Sequence, residues 1–290
     1  MAISPLNYPG NKAKILGQIL DILPKGRTDF VDVFCGSGMV GLNSDCPAVF
    51  SNDLSPHSIE LLRFFIETPT DEIIAGVERV INDYGLTYSR IVPKGTYVEH
   101  KHEGLSLYNK AGFEKLKDDY NADKSTLKLF VLAIYGFNHY LRFNGKDAFN
   151  VPVGKVDFCD QLYRKTIAFS NLAKTKSVAL SSLDFRTPSL YDHQNAIFYF
   201  DPPYLITSAP YNGNWSERDE HDLIDLLDLL DAQGKQFGLS NVLVSNGKTN
   251  AILTKWANKY NIHQMKRQYR NANYRRKNAS LAEEVLITNF

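Results

Sequence analysis

The chain has 290 residues, of which 43% are hydrophobic and 22% charged, with a formal net charge of +1. This composition is typical of a globular protein, and so small a net charge neither demands nor excludes nucleic-acid binding, which would need a local basic patch. No apolar run approaches the roughly 20 residues of a membrane span, and no signal peptide opens the chain. The three cysteines lack metal-ligand spacing and a disulfide framework. We therefore expect a cytoplasmic protein without metal or membrane partner.

The chain opens with a polar loop, Asn7-Tyr8-Pro9-Gly10-Asn11-Lys12, followed by helical spacing over residues 13–23. Pro24 and Gly26 are typical helix stops. Such a loop can contact a ligand or can simply cap the helix.

A strand is predicted over residues 30–34, and it runs directly into a glycine turn, Gly36-Ser37-Gly38. A second strand over residues 49–53 ends in Asp53. A strand, a glycine turn and a helix start are typical of a nucleotide-binding α/β sheet, in which an acid at the second strand tip suits the hydroxyls of a ribose. Together with Gly41, the turn matches the dinucleotide pattern G-x-G-x-x-G, so a nicotinamide-dependent oxidoreductase is one interpretation.

Residues 61–176 contain no further unit of strand and glycine turn. Helices are predicted over residues 72–84, 113–120 and 126–140. We interpret 61–176 as a mainly helical insertion into an α/β domain made of residues 1–60 and 177–290.

The last part of the insertion interleaves basic residues with Phe, Tyr and Asn. Asn144-Gly145 indicates a hairpin turn. Base and phosphate contacts use this mixture of side chains, although a surface hairpin with an aromatic cluster would show it too. The candidate DNA contacts here are Asn138, Arg142, Asn144, Lys146, Pro152 and Lys155.

The sheet is predicted to resume at residues 178–180, just before Asp184-Phe185, and an apolar strand at 196–199 leads into Phe200-Asp201-Pro202-Pro203-Tyr204. Proline has no N–H, so the two prolines end the strand ladder and leave carbonyls directed outward. A carboxylate, a carbonyl and an aromatic ring then lie where open α/β sheets bind ligands. A planar group bearing an NH2 would fit them, although a strand end and a plain Pro-Pro turn would show the same residues.

The remaining elements are a helix over 216–230, a strand over 242–246, a helix over 249–260 and a closing strand pair over 262–266 and 285–288. A basic loop separates that pair and carries Arg270, Arg275 and Arg276. Such a loop is a solvated surface or, beside a cleft, a phosphate contact.

These motifs, in this order, resemble the Dam-type, alpha-group DNA adenine-N(6) methyltransferases over nearly the whole chain. The similar stretches are Tyr8-Pro9-Gly10-Asn11-Lys12, Asp32-Val33-Phe34-Cys35-Gly36-Ser37-Gly38, Asn52-Asp53, Asp184-Phe185, Asp201-Pro202-Pro203-Tyr204, residues 149–154 and residues 284–289. Asn11 departs from the pattern, since many members have a second glycine there. The resemblance implies an S-adenosylmethionine-dependent, Rossmann-like catalytic domain with an inserted target-recognition domain.

By this resemblance, the protein methylates adenine N6 in double-stranded DNA, flips the base out of the duplex, and can serve a restriction endonuclease as partner. Asp201, Pro202 and Tyr204 are the implied catalytic residues. The implied S-adenosylmethionine site consists of Tyr8, Lys12, Phe34, Gly36, Gly38, Asp53, Asp184 and Phe185. Arg142 would read a guanine or hold a phosphate. A nicotinamide oxidoreductase and a non-catalytic DNA-binding paralogue are the alternatives.

Overall fold

The computed structural model describes residues 1–6, 10–97, 103–207, 215–266 and 283–290. The chain divides into two compact units. The sheet unit consists of residues 12–54 and 177–290, and the helical unit consists of residues 1–11 and 55–176. The first internal boundary thus lies after residue 54 rather than 60, and residues 1–11 group with the helices. The functions predicted for the two units stay predictions.

The described strands of the sheet unit form one mixed sheet of eight strands. They are β1 Asp29–Asp32, β2 Ala48–Asn52, β3 Ser177–Ser181, β4 Ala196–Phe200, β5 Gln236–Ser245, β6 Lys248–Thr249, β7 Asn261–Gln264 and β8 Glu283–Thr288. Their order is β3-β2-β1-β4-β5-β8-β7, with β6 paired to β5 alone. The first five of these are parallel, whereas β8 is antiparallel to both β5 and β7.

The chain order of the strands reverses direction between β1 and β4, which are neighbours. In open parallel sheets this reversal opens a crevice beyond the carboxyl ends of the two strands. The α/β class predicted from the sequence is confirmed. The crevice places the residues after β1 and β4 at the expected ligand site.

The α-helices of the described residues are α1 Leu16–Ile22, α2 Met39–Asn43, α3 Pro56–Glu67, α4 Thr70–Asp83, α5 Ser106–Asp123, α6 Thr126–Tyr135, α7 Asp160–Ala173, α8 Glu217–Ala232 and α9 Ala251–Ala257. Helices α1, α2, α8 and α9 belong to the sheet unit, and the others to the helical unit. None of these helices combines the length and the apolar character needed to cross a membrane.

The core of the sheet unit is formed by every second side chain of a strand, because alternate side chains point to the same face. In β4, Phe198 and Phe200 face a buried cluster that includes Leu223 and Leu227 of α8. Successive side chains of a strand point to opposite faces, so Tyr199 and Asp201 face the other side. There the hydroxyl of Tyr199 lies 2.7 Å from that of Ser240. Polar side chains are therefore concentrated on one face near the strand ends.

The helical unit is built around α6, in which every residue from Leu129 to Tyr135 is buried. The prediction that this helix continues to residue 140 is wrong. Gly136 leaves the helical conformation (ψ 153°), and Asn138 and His139 both have positive φ. At Gly136, a Cβ would meet the Leu132 carbonyl oxygen at 2.7 Å, and at Gly154 a Cβ would meet the Gly136 carbonyl oxygen at 2.6 Å. This close backbone approach requires glycine and ends the helix.

The segment after α6 forms the turn predicted at Asn144-Gly145, although its two sides are joined by two isolated antiparallel bridges, Phe143 with Phe149 and Gly136 with Val153, rather than by regular strands. The side-chain oxygen of Asn144 accepts bonds from the backbone N–H groups of Lys146 and Ala148. His57 stacks on Phe143 at 3.6 Å and lies 2.7 Å from a carboxylate oxygen of Asp147. The helix α3, which carries His57, therefore fixes this loop, and neither α3 nor α7 was predicted.

Candidate active site

The end of β4 holds a carboxylate whose two oxygens are both engaged. Asp201 Oδ2 lies 2.7 Å from Lys12 Nζ, and Asp201 Oδ1 accepts a hydrogen bond of 2.9 Å from the Tyr204 hydroxyl. The Asp201 side chain is 20% exposed. Among the described residues, no backbone N–H bonds the carbonyl oxygen of Pro202. The strand end thus presents an oriented carboxylate and an available carbonyl.

Lys12 is a buried ammonium at this carboxylate, with its side chain only 3% exposed. Its Nζ also lies 3.7 Å from Glu284 Oε1 and 5.2 Å from the ring centre of Tyr204. Burial raises the pKa of Asp201, and the Lys12 ammonium opposes that rise. The resemblance assigned Lys12 to the cofactor, whereas the geometry places its charge on Asp201. Lys12 therefore favours the ionised, acceptor form of Asp201.

Asp32, at the end of β1, is a second buried carboxylate. One oxygen accepts from the Gly41 N–H at 3.2 Å, and the other has no hydrogen-bond partner among the described residues. Burial raises its pKa from 3.8 to about 8, against the bond from Gly41, and the neighbouring Asp201 and Asp53 carboxylates raise it further. Asp32 therefore keeps its proton at neutral pH, beside the Asp201 and Asp53 carboxylates.

This raised pKa predicts how stability depends on pH. Between pH 3.8 and about 8 the folded protein keeps a proton on Asp32 that the unfolded chain releases, so the free energy of unfolding should fall as pH rises through that window. Asp32→Asn keeps an acceptor for Gly41 and puts a neutral NH2 at the unpartnered position, which removes this contribution. Denaturant titrations at both ends of the window should show that the free energy of unfolding of the variant, relative to that of the wild type, is higher at the alkaline end than at the acid end. An equal difference at both ends would contradict the assignment.

The glycine turn has the conformation that its residues predict. Gly36 and Gly38 have φ of 52° and 69°. Gly41 serves packing instead, because a Cβ there would meet Val49 Cγ1 at 2.8 Å. Asp53 Oδ2 accepts a 2.8 Å bond from the Gly36 N–H, so the predicted ribose acid also holds the turn. The turn and the acid are thus brought together.

An aromatic wall, defined here as Phe34, Phe185 and Trp215, lies beside the turn. Phe34 and Phe185 are 5.5 Å apart, and Trp215 lies 5.9 Å from the first and 5.5 Å from the second, measured between ring centres. Sequence reasoning identified Phe34 and Phe185 but missed Trp215. The only sequence signal was an aromatic residue directly before the helix cap Ser216.

Asp184 lies next to this wall, and its side chain is 47% exposed. Arg186 donates to both of its carboxylate oxygens at 3.2 Å and lies 4.2 Å from the ring centre of Phe185. Arg186 also pairs with Asp219 and Asp222 of α8. Sequence reasoning missed Arg186, which ties the Asp184-Phe185 pair to α8.

The candidate DNA contacts that the structure describes lie in the helical unit. Arg142 is exposed, and it donates from Nε to Asn150 Oδ1 and from Nη2 to the Asn150 carbonyl, each at 2.7 Å. The other candidates in this unit, Asn138, Asn144, Lys146, Pro152 and Lys155, are exposed as well. Tyr8, Arg270, Arg275 and Arg276 lie outside the described residues. The roles of all these residues stay predictions.

Known proteins are similar to this chain over most of its length. The model of the D12 class N6 adenine-specific DNA methyltransferase family matches residues 8–271. The chain is 35% identical over 296 residues to the Type II methyltransferase M.FokI of Planomicrobium okeanokoites, which covers 99% of this chain and 43% of that protein. It is 33% identical over 295 residues to the modification methylase LlaI of Lactococcus lactis subsp. lactis, and this alignment also covers 99% of this chain and 43% of that protein.

A third relative is the DNA adenine methylase of Escherichia coli (strain K12), 26% identical over 208 residues, which are 71% of this chain and 66% of that protein. The chain therefore spans less than half the length of the first two relatives. The family match covers nearly the whole chain and confirms the resemblance seen in the motifs. This chain belongs to the D12 class N6 adenine-specific DNA methyltransferase family.

Proposed function

We propose that this chain transfers a methyl group from S-adenosylmethionine to the exocyclic N6 amino group of adenine in double-stranded DNA. The observation that carries the proposal is the Asp201 carboxylate at the end of β4, held by Lys12 at 2.7 Å and Tyr204 at 2.9 Å beside the Pro202 carbonyl. Two acceptors at a strand end suit the two hydrogens of an amino group. Membership of the family supports the same reaction.

The crevice residues fit S-adenosylmethionine, which would supply a methyl carbon activated by positively charged sulfur. The half-buried Asp53 carboxylate suits a cationic ligand. A bound cation would also favour the ionised form of the buried Asp32 carboxyl, one oxygen of which is unpartnered among the described residues. The positive-φ glycines let backbone approach a ligand closely. The residues that would hold the cofactor are Phe34, Gly36, Gly38, Asp53, Asp184 and Phe185.

The amino nitrogen of adenine is a poor nucleophile because its lone pair is delocalised into the ring. When Asp201 and the Pro202 carbonyl accept its two hydrogens, the nitrogen shifts toward tetrahedral geometry and its lone pair localises. That lone pair would form the new bond to the methyl carbon while the carbon–sulfur bond breaks and leaves its electron pair on sulfur, and the surplus proton would pass to Asp201. Each Asp201 oxygen has a second lone pair, so Lys12 and Tyr204 do not prevent it from accepting.

An adenine in a duplex is stacked, so the base must leave the helix to reach Asp201. We propose that the ring of Tyr204 stacks on the flipped base. Its hydroxyl bond to Asp201 and the nearby Lys12 ammonium hold that ring in a fixed orientation. Stacking returns roughly 1–3 kcal/mol toward an unstacking cost of a few kcal/mol.

We propose that the helical unit recognises the target sequence and that the basic residues around Arg142 hold DNA. Because Asn150 takes two of its nitrogens, the Arg142 guanidinium has a set direction. A guanidinium with a fixed plane is the group that reads the O6 and N7 edge of guanine.

Arg142→Ala should lower discrimination at one base position by about 1–3 kcal/mol if Arg142 reads a guanine. Asn150→Ala, which frees the guanidinium without removing it, should lower that discrimination less and leave overall DNA affinity near wild type. Methylation rates on duplexes substituted one base at a time measure both variants. An even loss across all sequences, with a salt slope smaller by about one, would mean a phosphate contact instead.

We propose that the chain modifies a specific DNA site in the cytoplasm and thereby protects that site from a restriction endonuclease. The names of two relatives, Type II methyltransferase and modification methylase, support a modifying role. Plasmid DNA from cells expressing the chain should resist one endonuclease of matching specificity. If endonucleases cut the sites that carry the methyl group as readily as they cut unmethylated sites, the protective role would be contradicted.

The reaction itself is tested by incubating the purified chain with duplex DNA and methyl-labelled S-adenosylmethionine, then digesting the DNA to nucleosides. The expected labelled product is N6-methyl-2′-deoxyadenosine alone. Label on cytosine, or none on DNA despite cofactor binding, would overturn the proposal. Binding of labelled NAD instead would favour the nicotinamide oxidoreductase, and DNA binding without cofactor would favour a non-catalytic paralogue.

A further inference from the structure

A buried glutamate of α8 holds the indole of the aromatic wall. Glu220 is completely buried. Its Oε2 accepts a 2.7 Å bond from Trp215 Nε1, and its Oε1 accepts a 2.6 Å bond from Asn250 Nδ2. None of the ion pairs among the described residues includes Glu220, although burying a charge without a counter-charge costs several kcal/mol.

The two partners explain why a carboxylate stands here. An indole N–H and an amide NH2 are donors, and only a carboxylate offers an acceptor oxygen to each. Asn250 cannot turn its own oxygen toward Glu220 at no cost, because that oxygen caps α9 by accepting from the Leu253 N–H at 3.0 Å. Asn250 therefore fixes the Glu220 carboxylate, and that carboxylate sets the direction of the Trp215 indole N–H.

The sheet unit contains a second indole–carboxylate pair, which serves as a structural comparison for the Trp215 pair. Trp256 Nε1 donates to Asp228 Oδ1 at 2.7 Å, and Trp256 is only 8% exposed and packs on Tyr260. Lys259 compensates the charge of Asp228. By contrast, Trp215 is half-buried, and no ion pair within the described part of the chain gives its carboxylate such a cation. Burying the carboxylate of the Trp215 pair therefore costs more electrostatic free energy than burying that of the Trp256 pair, although the Trp215 indole is less completely packed.

We propose that Trp215 is a third aromatic contact for the adenosine part of the cofactor and that Glu220 is the positioning residue that sets its indole. The inference rests on the proposed function, since it names further residues of that cofactor site. Trp215 completes the wall with Phe34 and Phe185, beside the glycine turn. A purine gains about 1–3 kcal/mol from each aromatic ring on which it stacks.

The test compares S-adenosylmethionine affinity by calorimetry in the wild type, Glu220→Gln and Asp228→Asn. Glutamine has one acceptor oxygen, so it loses either the bond from the indole or the bond from Asn250 that fixes the carboxylate. In both cases the indole is held less firmly in its direction. Glu220→Gln should weaken cofactor binding at least about fivefold, the lower end of what one lost stack costs. Turnover at saturating cofactor and DNA affinity should stay near wild type. Asp228→Asn, the matched control, should change cofactor affinity less than about twofold although it also disturbs an indole pair.

Fluorescence gives an independent measurement. Trp256→Phe leaves Trp215 as the one tryptophan, because the chain has only two. Its emission should change saturably on titration with S-adenosylmethionine, and the change should be lost in Trp215→Phe on the same background. If Glu220→Gln fails to fold, Trp215→Ala replaces it and should weaken cofactor binding more than Trp215→Phe does.

The outcomes separate the two proposals. A folded wild type that binds no S-adenosylmethionine overturns the proposed function and with it this inference. A wild type that binds and methylates, while Glu220→Gln and Trp215→Ala bind the cofactor as tightly as Asp228→Asn, overturns this inference alone.

Discussion

Asp201→Asn is expected to lower the single-turnover rate of methylation by about 10²–10³, the loss caused by removing one acceptor or donor aimed at charge that develops in a transition state. Asparagine has one acceptor oxygen, and the Lys12 ammonium, a pure donor, will take it. The NH2 group then faces the Tyr204 hydroxyl, which can accept. The local network therefore stays satisfied while the substrate loses its acceptor.

The affinities for DNA and cofactor should thus stay close to wild type. The melting temperature should fall, because the buried Lys12 ammonium loses the carboxylate charge that lies 2.7 Å from it. Asp228→Asn provides a control of equal charge, because Asp228 binds Trp256, Lys259 and Tyr260 instead. It should keep most of the wild-type rate. A folded Asp201→Asn protein that methylates DNA at close to the wild-type rate would remove Asp201 from the mechanism.

Lys12→Met should also lower methylation at neutral pH, through Asp201. Without the ammonium, burial and the neighbouring carboxylates raise the pKa of Asp201 further, so more of it is protonated and cannot accept. Each unit by which that pKa rises above the assay pH costs about tenfold in the ionised fraction. Loss of one partner from a buried pair also destabilises the fold by about 3–5 kcal/mol. Protonation of Asp201 would offset part of this loss of stability.

Cofactor affinity tells the two readings of Lys12 apart. If Lys12 acts on Asp201, Lys12→Met should bind S-adenosylmethionine almost as the wild type does. A large loss of cofactor affinity with an unchanged rate at saturation would instead support the predicted role of Lys12 in binding the cofactor. Lys259→Met, which removes an ammonium from Asp228, is the matched control and should change neither quantity.

The strand ends were predictable because local patterns define them. The run 196–200 is apolar and stops at two prolines, and β4 ends there. The glycine turn was predictable for the same reason, since φ at Gly36 and Gly38 is positive. The helix predicted through residue 140 failed because helical periodicity does not register the contact between Gly136 and Gly154, which is made between distant residues.

The contacts within the site were not predictable. Lys12, Asp201 and Glu284 are distant in the sequence and meet only through the strand order. Glu220 stands among several acids in the first turn of α8, and nothing in that run marks it as the buried one. Residue types and their order were enough to assign the family, but the partners of each charged group required the fold.

The most direct test of the account is the pH dependence of the single-turnover methylation rate, measured with saturating DNA and cofactor in the wild type and in Lys12→Met. The rate should rise with pH as Asp201 ionises, and the midpoint should lie at higher pH in Lys12→Met, because the ammonium no longer opposes the effect of burial. The two rates should converge at alkaline pH. Profiles that share one midpoint, or a midpoint at lower pH in Lys12→Met, would contradict the role given to Lys12 and Asp201.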